Sequence, residues 1–204
     1  MLDEIQKGSF EFFWNETNPQ IGQVKDRAFL NGKDTRKMAS IAATGFGLTS
    51  LCIGDARGYA AHGEILERVR VTLRFLANQM PTVHGFYSHF VDMDNGQRWE
   101  KCELSSMDTA LLLCGILMGA RIFRTRKFRP GHENLQSRGM AVDAERRPNI
   151  FDGLDAGVGF LEARWEHYCE LMMIYLLGIG SPKNPVPAET WKAFITLVRV
   201  SLAP

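Results

Sequence analysis

The chain has 204 residues, 45% of them apolar and 23% charged, with 24 basic against 23 acidic side chains and a net charge of +1. That is enough for one sizeable core and excludes wholesale disorder. Near-neutral charge argues against a nucleic-acid or anionic-membrane binder held by bulk electrostatics. No apolar run approaches the roughly 18 residues of a membrane span. The N-terminal MLDEIQKGSFEFFW carries no basic-then-apolar leader, so no signal peptide is read and localisation stays open.

In chain order, residues 2–16 set Leu2, Ile5, Phe12 and Phe13 among charges and predict a helix. Residues 38–54 are apolar almost all round, which predicts a buried helix. Residues 62–80 are amphipathic, with Ile65, Leu66, Val69, Leu73 and Leu76 on one stripe and Glu67, Arg68, Arg70 and Arg74 mostly off it. Residues 106–123 are again apolar all round, as are 168–179, and a last helix is expected over about 188–200, after Pro182, Pro185 and Pro187.

Three apolar helices end near Gly54, Gly119 and Gly180, 65 and 61 residues apart. A repeat of that length fits stacked α-hairpins with one helix of each pair on an inner ring, although an up-down bundle fits too. The connecting stretches 17–37 and 81–101 are long and polar-aromatic, as functional loops often are. FYSHFVDM followed by DNGQRWE reads as a β-hairpin turning at Asn95-Gly96. Cys52, Cys102, Cys114 and Cys169 match no metal spacing and read as apolar filler.

Acids and aromatics gather where these loops enter the apolar helices. WEKCELSSMDTA holds Trp99, Glu100, Glu103 and Asp108; GFLEARWEHYCELMM holds Arg164, Trp165, Tyr168 and Glu170. Glu170 lies within an apolar period, where an unpaired carboxylate is costly unless it faces a wet cavity or a partner. Two carboxylates entering one funnel from neighbouring inner helices have the makings of a general acid and a general base for glycoside hydrolysis. Flanking aromatic rings offer sugars flat apolar faces. Against this, Ser105 ahead of Asp108 is also a helix-capping signature, Glu100 suits a solvated hairpin, and His89 suits a structural histidine.

The blocks LDEIQKGSFEFFW, MASIAATGFGLTSLCIG, GFYSHFVDMDNGQRW, CELSSMDTALLLCGIL and GFLEARWEHYCELMMIYLLGIG resemble the bacterial glucoamylase-like family, which includes enzymes acting on β-1,2-glucans. The resemblance covers residues 2–123 and 160–194. It implies an all-α fold, part of an (α/α)6 toroid of helical hairpins, with a short β-hairpin in a cleft loop. It also implies an oligo- or polysaccharide partner and carboxylate catalysis without a metal or other cofactor. Glu100, Glu103 and Glu170 match the family's acids, with Asp108 a fourth candidate. Tyr87, His89, Trp99, Arg164, Trp165 and Tyr168 would form the sugar platform, and Asp26 and Arg27 would reach the same cleft or form a surface ion pair.

Residues 1–204 are thus expected to be a single truncated domain, since six hairpins need twelve helices. Residues 124–159 break the resemblance: they carry seven Lys/Arg and no apolar period. With permitted codons, Leu135–Arg146 read one base later encode YKAVEWPWMLNG, which looks like what the family carries there, so a frameshift is expected. Apolar inner helices left without partners would favour self-association, and little or no hydrolase activity is expected of the chain alone. A non-catalytic glycan-binding remnant and a helical interaction scaffold are the alternatives.

Overall fold

The computed structural model of the protein describes residues 1–31, 33–124, 153–155, 159–160, 172–181 and 185–192. Helix α1 spans Leu2–Asn15. Its Phe10 is buried and stacks on Trp14 at 5.5 Å. The next helix, α2 (Ile41–Arg57), starts later than its apolar run because Ser40 caps it, accepting from the Ala43 amide. Its far end is closed by Gly58 in the left-handed region, φ +68°, a position that favours glycine. The run's first residues instead form strand β1 (Met38–Ser40).

Helix α3 (His62–Asn78) buries Ile65, Val69, Thr72, Leu73, Phe75 and Leu76, the stripe its amphipathic pattern predicts, with Leu66 at its margin. Helix α4 (Ser106–Ile122) is capped by Ser105, whose Oγ accepts from the Asp108 amide at 3.1 Å. The described part of the third apolar helix is α5, Met172–Ile179. Of the expected last helix, residues 190–192 are helical; the remainder lies outside the described residues.

The apolar helices pack side by side. A Cβ on Gly115 of α4 would stand 2.1 Å from the Gly45 carbonyl oxygen of α2, and one on Gly45 would stand 2.5 Å from Leu111 O. Only glycine lets the two backbones approach this closely. Phe10, Leu48, Ile65, Val69, Leu73, Leu112 and Ile116 form the main core, and Met107, Ala110, Ile174 and Tyr175 join α4 to α5. The inner helices are not buried all round, contrary to their composition: Phe46 is 49% exposed and Leu176 54%, with Ile53, Leu117, Met118 and Ile122 also open.

Two small antiparallel sheets sit at the N-terminal ends of α2 and α4. In the first, β1 pairs with β3 (Phe90–Asp92) in the register Ala39↔Val91. The second has the order β2-β4-β5-β6, from Tyr87–Ser88, Leu104–Ser105, Gly153–Asp155 and Gly159–Phe160. The expected hairpin is present: Val91 bridges Arg98 across a turn in which Gly96 takes φ +71°.

Candidate functional site

His89 lies between β2 and β3 and so joins the two sheets. Its amide donates to Glu103 O at 3.0 Å, continuing the β2–β4 ladder, and its carbonyl accepts from the Ile41 amide at 3.3 Å, at the start of α2. The pairing sets His89 and Glu103 opposite one another on neighbouring strands, where side chains meet. His89 Nδ1 lies 2.6 Å from Glu103 Oε1, and Nε2 lies 3.6 Å from Asp108 Oδ1. The imidazole also stacks on Phe90, with centroids 3.8 Å apart and planes 16° from parallel. Glu103 remains 44% exposed, so one carboxylate at this junction is both anchored and open to a ligand.

Asp108 has two jobs. Its amide is capped by Ser105 Oγ, which also donates to Asp108 Oδ2 at 2.5 Å, while Oδ1 faces the imidazole. One residue thus both opens α4 and borders the His89 ring. The Ile41 amide at the start of α2 bonds His89 O and Asp108 opens α4, so the N-termini of both helices abut this corner.

The remaining sequence candidates divide. Trp99 is half-buried beside β3, its amide bonded to Phe90 O. Glu100 is exposed in the following turn at φ +48°, the solvated position its hairpin setting suggested. Asp26 follows the Lys25–Ala39 bridge beside β1, its amide bonded to Met38 O, and its carboxylate pairs with Arg27. Tyr87 needs correction as part of a sugar platform: it is 2% exposed and packs in the main core, and burial pushes its phenol up to about 12. Arg164, Trp165, Tyr168 and Glu170 lie outside the described residues, as does Cys169.

One cluster escaped the sequence reading. Asp34, its side chain 1% exposed, accepts from the Phe29 and Arg36 amides and from the Arg36 guanidinium, which holds its carboxyl well below the usual range. Lys25 Nζ joins Glu16 at 2.7 Å to the Asp34 carbonyl at 2.8 Å. This clamp joins Phe29, Asp34 and Arg36 to Lys25 and Glu16 beside β1. Its only sequence signal is the Asp-x-Arg spacing, which is too common to single out. Among the described residues, no group of three or more His, Cys, Asp or Glu is placed to hold a metal, and no helix is long and apolar enough to cross a membrane.

Comparison with known proteins agrees with the sequence resemblance. A family model described as "Putative glucoamylase" matches residues 162–202. An exo-β-1,2-glucooligosaccharide sophorohydrolase of Parabacteroides distasonis is 28% identical over 97 residues, 48% of this chain and 13% of that protein. Among solved structures, the endo-β-1,2-glucanase of Chitinophaga pinensis, in complex with sophorotriose and glucose, superimposes with a TM-score of 0.78 at 19% identity, covering 93% of this chain and 48% of its own. A β-1,2-glucanase from P. distasonis gives 0.79 at 20% identity, over 94% of this chain and 29% of its own. The chain thus spans at most about half the length of these relatives.

Proposed function

We propose that this chain, whose sequence and fold are similar to the glucoamylase-like proteins and correspond to part of their (α/α)6 toroid, carries a glycan-binding cleft half-wall for β-glucans of the β-1,2-linked class. Glycosidic bond cleavage would use carboxylates as acid and base, with Glu103 and Glu170 in those roles and Glu100 and Asp108 as supporting acids. His89, Trp99, Arg164, Trp165 and Tyr168 would line the sugar site, with Asp26 and Arg27 at its margin. The observation that carries the reading is the half-exposed Glu103 carboxylate, anchored through one oxygen where the N-termini of two apolar helices meet.

Sophorotriose titrated into the chain is expected to shift the resonances of Glu103, His89 and Trp99 and to bind more weakly to Glu103→Gln. No shift at any of the three in millimolar ligand would sink the proposal. Hydrolysis by the chain alone is expected to stay near background, and rapid reducing-sugar release by the monomer would contradict the incomplete-cleft reading.

Two further proposals concern the chain rather than the site. The open apolar faces of α2, α4 and α5 would drive self-association. The atypical residues 124–159 would stem from a shifted reading frame, and an unbroken frame across these codons in several isolates would remove that idea.

A further inference from the structure

We infer that His89 is a positioning residue: it holds Glu103 by Oε1 and so assigns Oε2 as the oxygen that works on the sugar. The backbone of His89 is bonded on both sides, to Glu103 O and from the Ile41 amide, and its ring is stacked on Phe90, so the imidazole has little freedom to turn. Its Nδ1 is 2.6 Å from Glu103 Oε1, a hydrogen-bond distance. For this contact to hold an ionised Glu103, which can only accept, Nδ1 must carry the proton. A carboxyl whose Oε1 accepts this bond carries its own proton, when it has one, on Oε2. Asp108 Oδ1 at 3.6 Å from Nε2 flanks the far edge of the ring, and Ser105 Oγ fixes Asp108 in turn. Ser105 and Asp108 thus border the far edge of the ring without a hydrogen bond to it, and the hold on Glu103 is made at Nδ1 alone. Support of this kind, one residue behind the reacting group, keeps that group within the narrow geometry that catalysis needs.

That Oε2 meets a sugar rests on the proposed glycan cleft; the pair itself does not. The test is therefore split between the ring and the ligand. In the full chain labelled with 15N-histidine, long-range 1H–15N spectra are expected to show a protonated Nδ1 on His89. Its signal should move in Glu103→Gln. A neutral His89 protonated only at Nε2, or a ring unaffected by Glu103→Gln, would overturn the inference whether or not the chain binds sugar.

For the ligand arm, Asn places an amide donor near the position of Nδ1, whereas Ala leaves none. His89→Ala is expected to weaken sophorotriose binding about tenfold, with His89→Asn within about threefold of the parent, a recovery that a purely space-filling role would not give. Equal losses in the two variants would count against the positioning role. Absence of sophorotriose binding by the parent chain, with the Nδ1 proton in place, would defeat the glycan reading and leave the His89–Glu103 pair standing.

Discussion

Helices α3 and α4 have the same length, 17 residues, yet they solve the burial problem differently. The amphipathic α3 buries one stripe against the rest of the chain and gives Glu67, Arg70 and Arg74 to water, while Arg68 lies over the Trp14 ring. Uniformly apolar α4 buries one side through its glycine contact with α2 and leaves Leu117, Met118 and Ile122 open. An amphipathic sequence states that one partner is enough; an all-apolar one asks for partners all round. The contrast therefore separates what this chain satisfies by itself from what it leaves unsatisfied.

The contrast is broken most severely from the α3 side. Leu73 is fully buried, and Leu73→Ala should cost about 3 kcal/mol in chemical unfolding by removing packed side-chain volume. A loss below about 1 kcal/mol would mean that α3 is not integral to the core. Next comes the glycine seam. Gly115→Ala forces a methyl onto the Gly45 carbonyl and should cost about 2 kcal/mol. Gly119→Ala, one turn further along, meets nothing nearer than Val69 Cγ1 at 3.7 Å and should be neutral or stabilise by up to about 1 kcal/mol through helix propensity. If both changes have the same sign, the two helices are not in backbone contact.

Acid sharpens the comparison of the core with the loop clamp. The Arg36 guanidinium holds the folded-state carboxyl of Asp34 below its unfolded value. Its contribution is present above the unfolded value, about 4, and is lost as pH falls through the folded one. Unfolding midpoints measured between pH 6 and 2 should therefore fall with acidification, and less steeply in Asp34→Asn. Parallel curves for the two proteins would show that the clamp adds nothing.

Much of this was legible in the residues. The 3.6-residue periods place α1, α3 and α4 to within a residue or two, and Asn95-Gly96 marks the hairpin turn. The start of α2 is not legible in the same way, because Met38–Ser40 continue the apolar run of the helix itself; pairing with Phe90–Asp92 on one side and with residues 24–26 on the other makes them extended, up to the Ser40 cap. The same limit applies to Tyr87. An aromatic beside a glycine-containing turn reads equally as a sugar platform or as core, and pairing with Ser105 turns it inward. The Glu103–His89 pair was visible as two residue types but not as a contact, since strand register is set by the whole sheet. The backbone of Gly153–Asp155 pairs with Leu104–Ser105 although it lies in the atypical stretch. Ladder bonds are made by main chain, so an altered side-chain sequence can still occupy a strand position.

The smallest effect on stability should come from the open face, and its value lies in that smallness. Phe46 and Leu176 stand half-exposed on α2 and α5, so replacing both with Gln removes little buried area and should change unfolding free energy by no more than about 0.5 kcal/mol. Sedimentation of the same variant should nevertheless shift toward monomer at concentrations where the parent associates, because apolar area exposed in the folded chain acts between molecules rather than within one. If stability instead fell as it does for Leu73→Ala, these side chains would belong to the core, and the difference between one-sided and all-round apolar helices would disappear. If stability held and association persisted unchanged, the apolar face would be real but would not be the surface through which the chains meet.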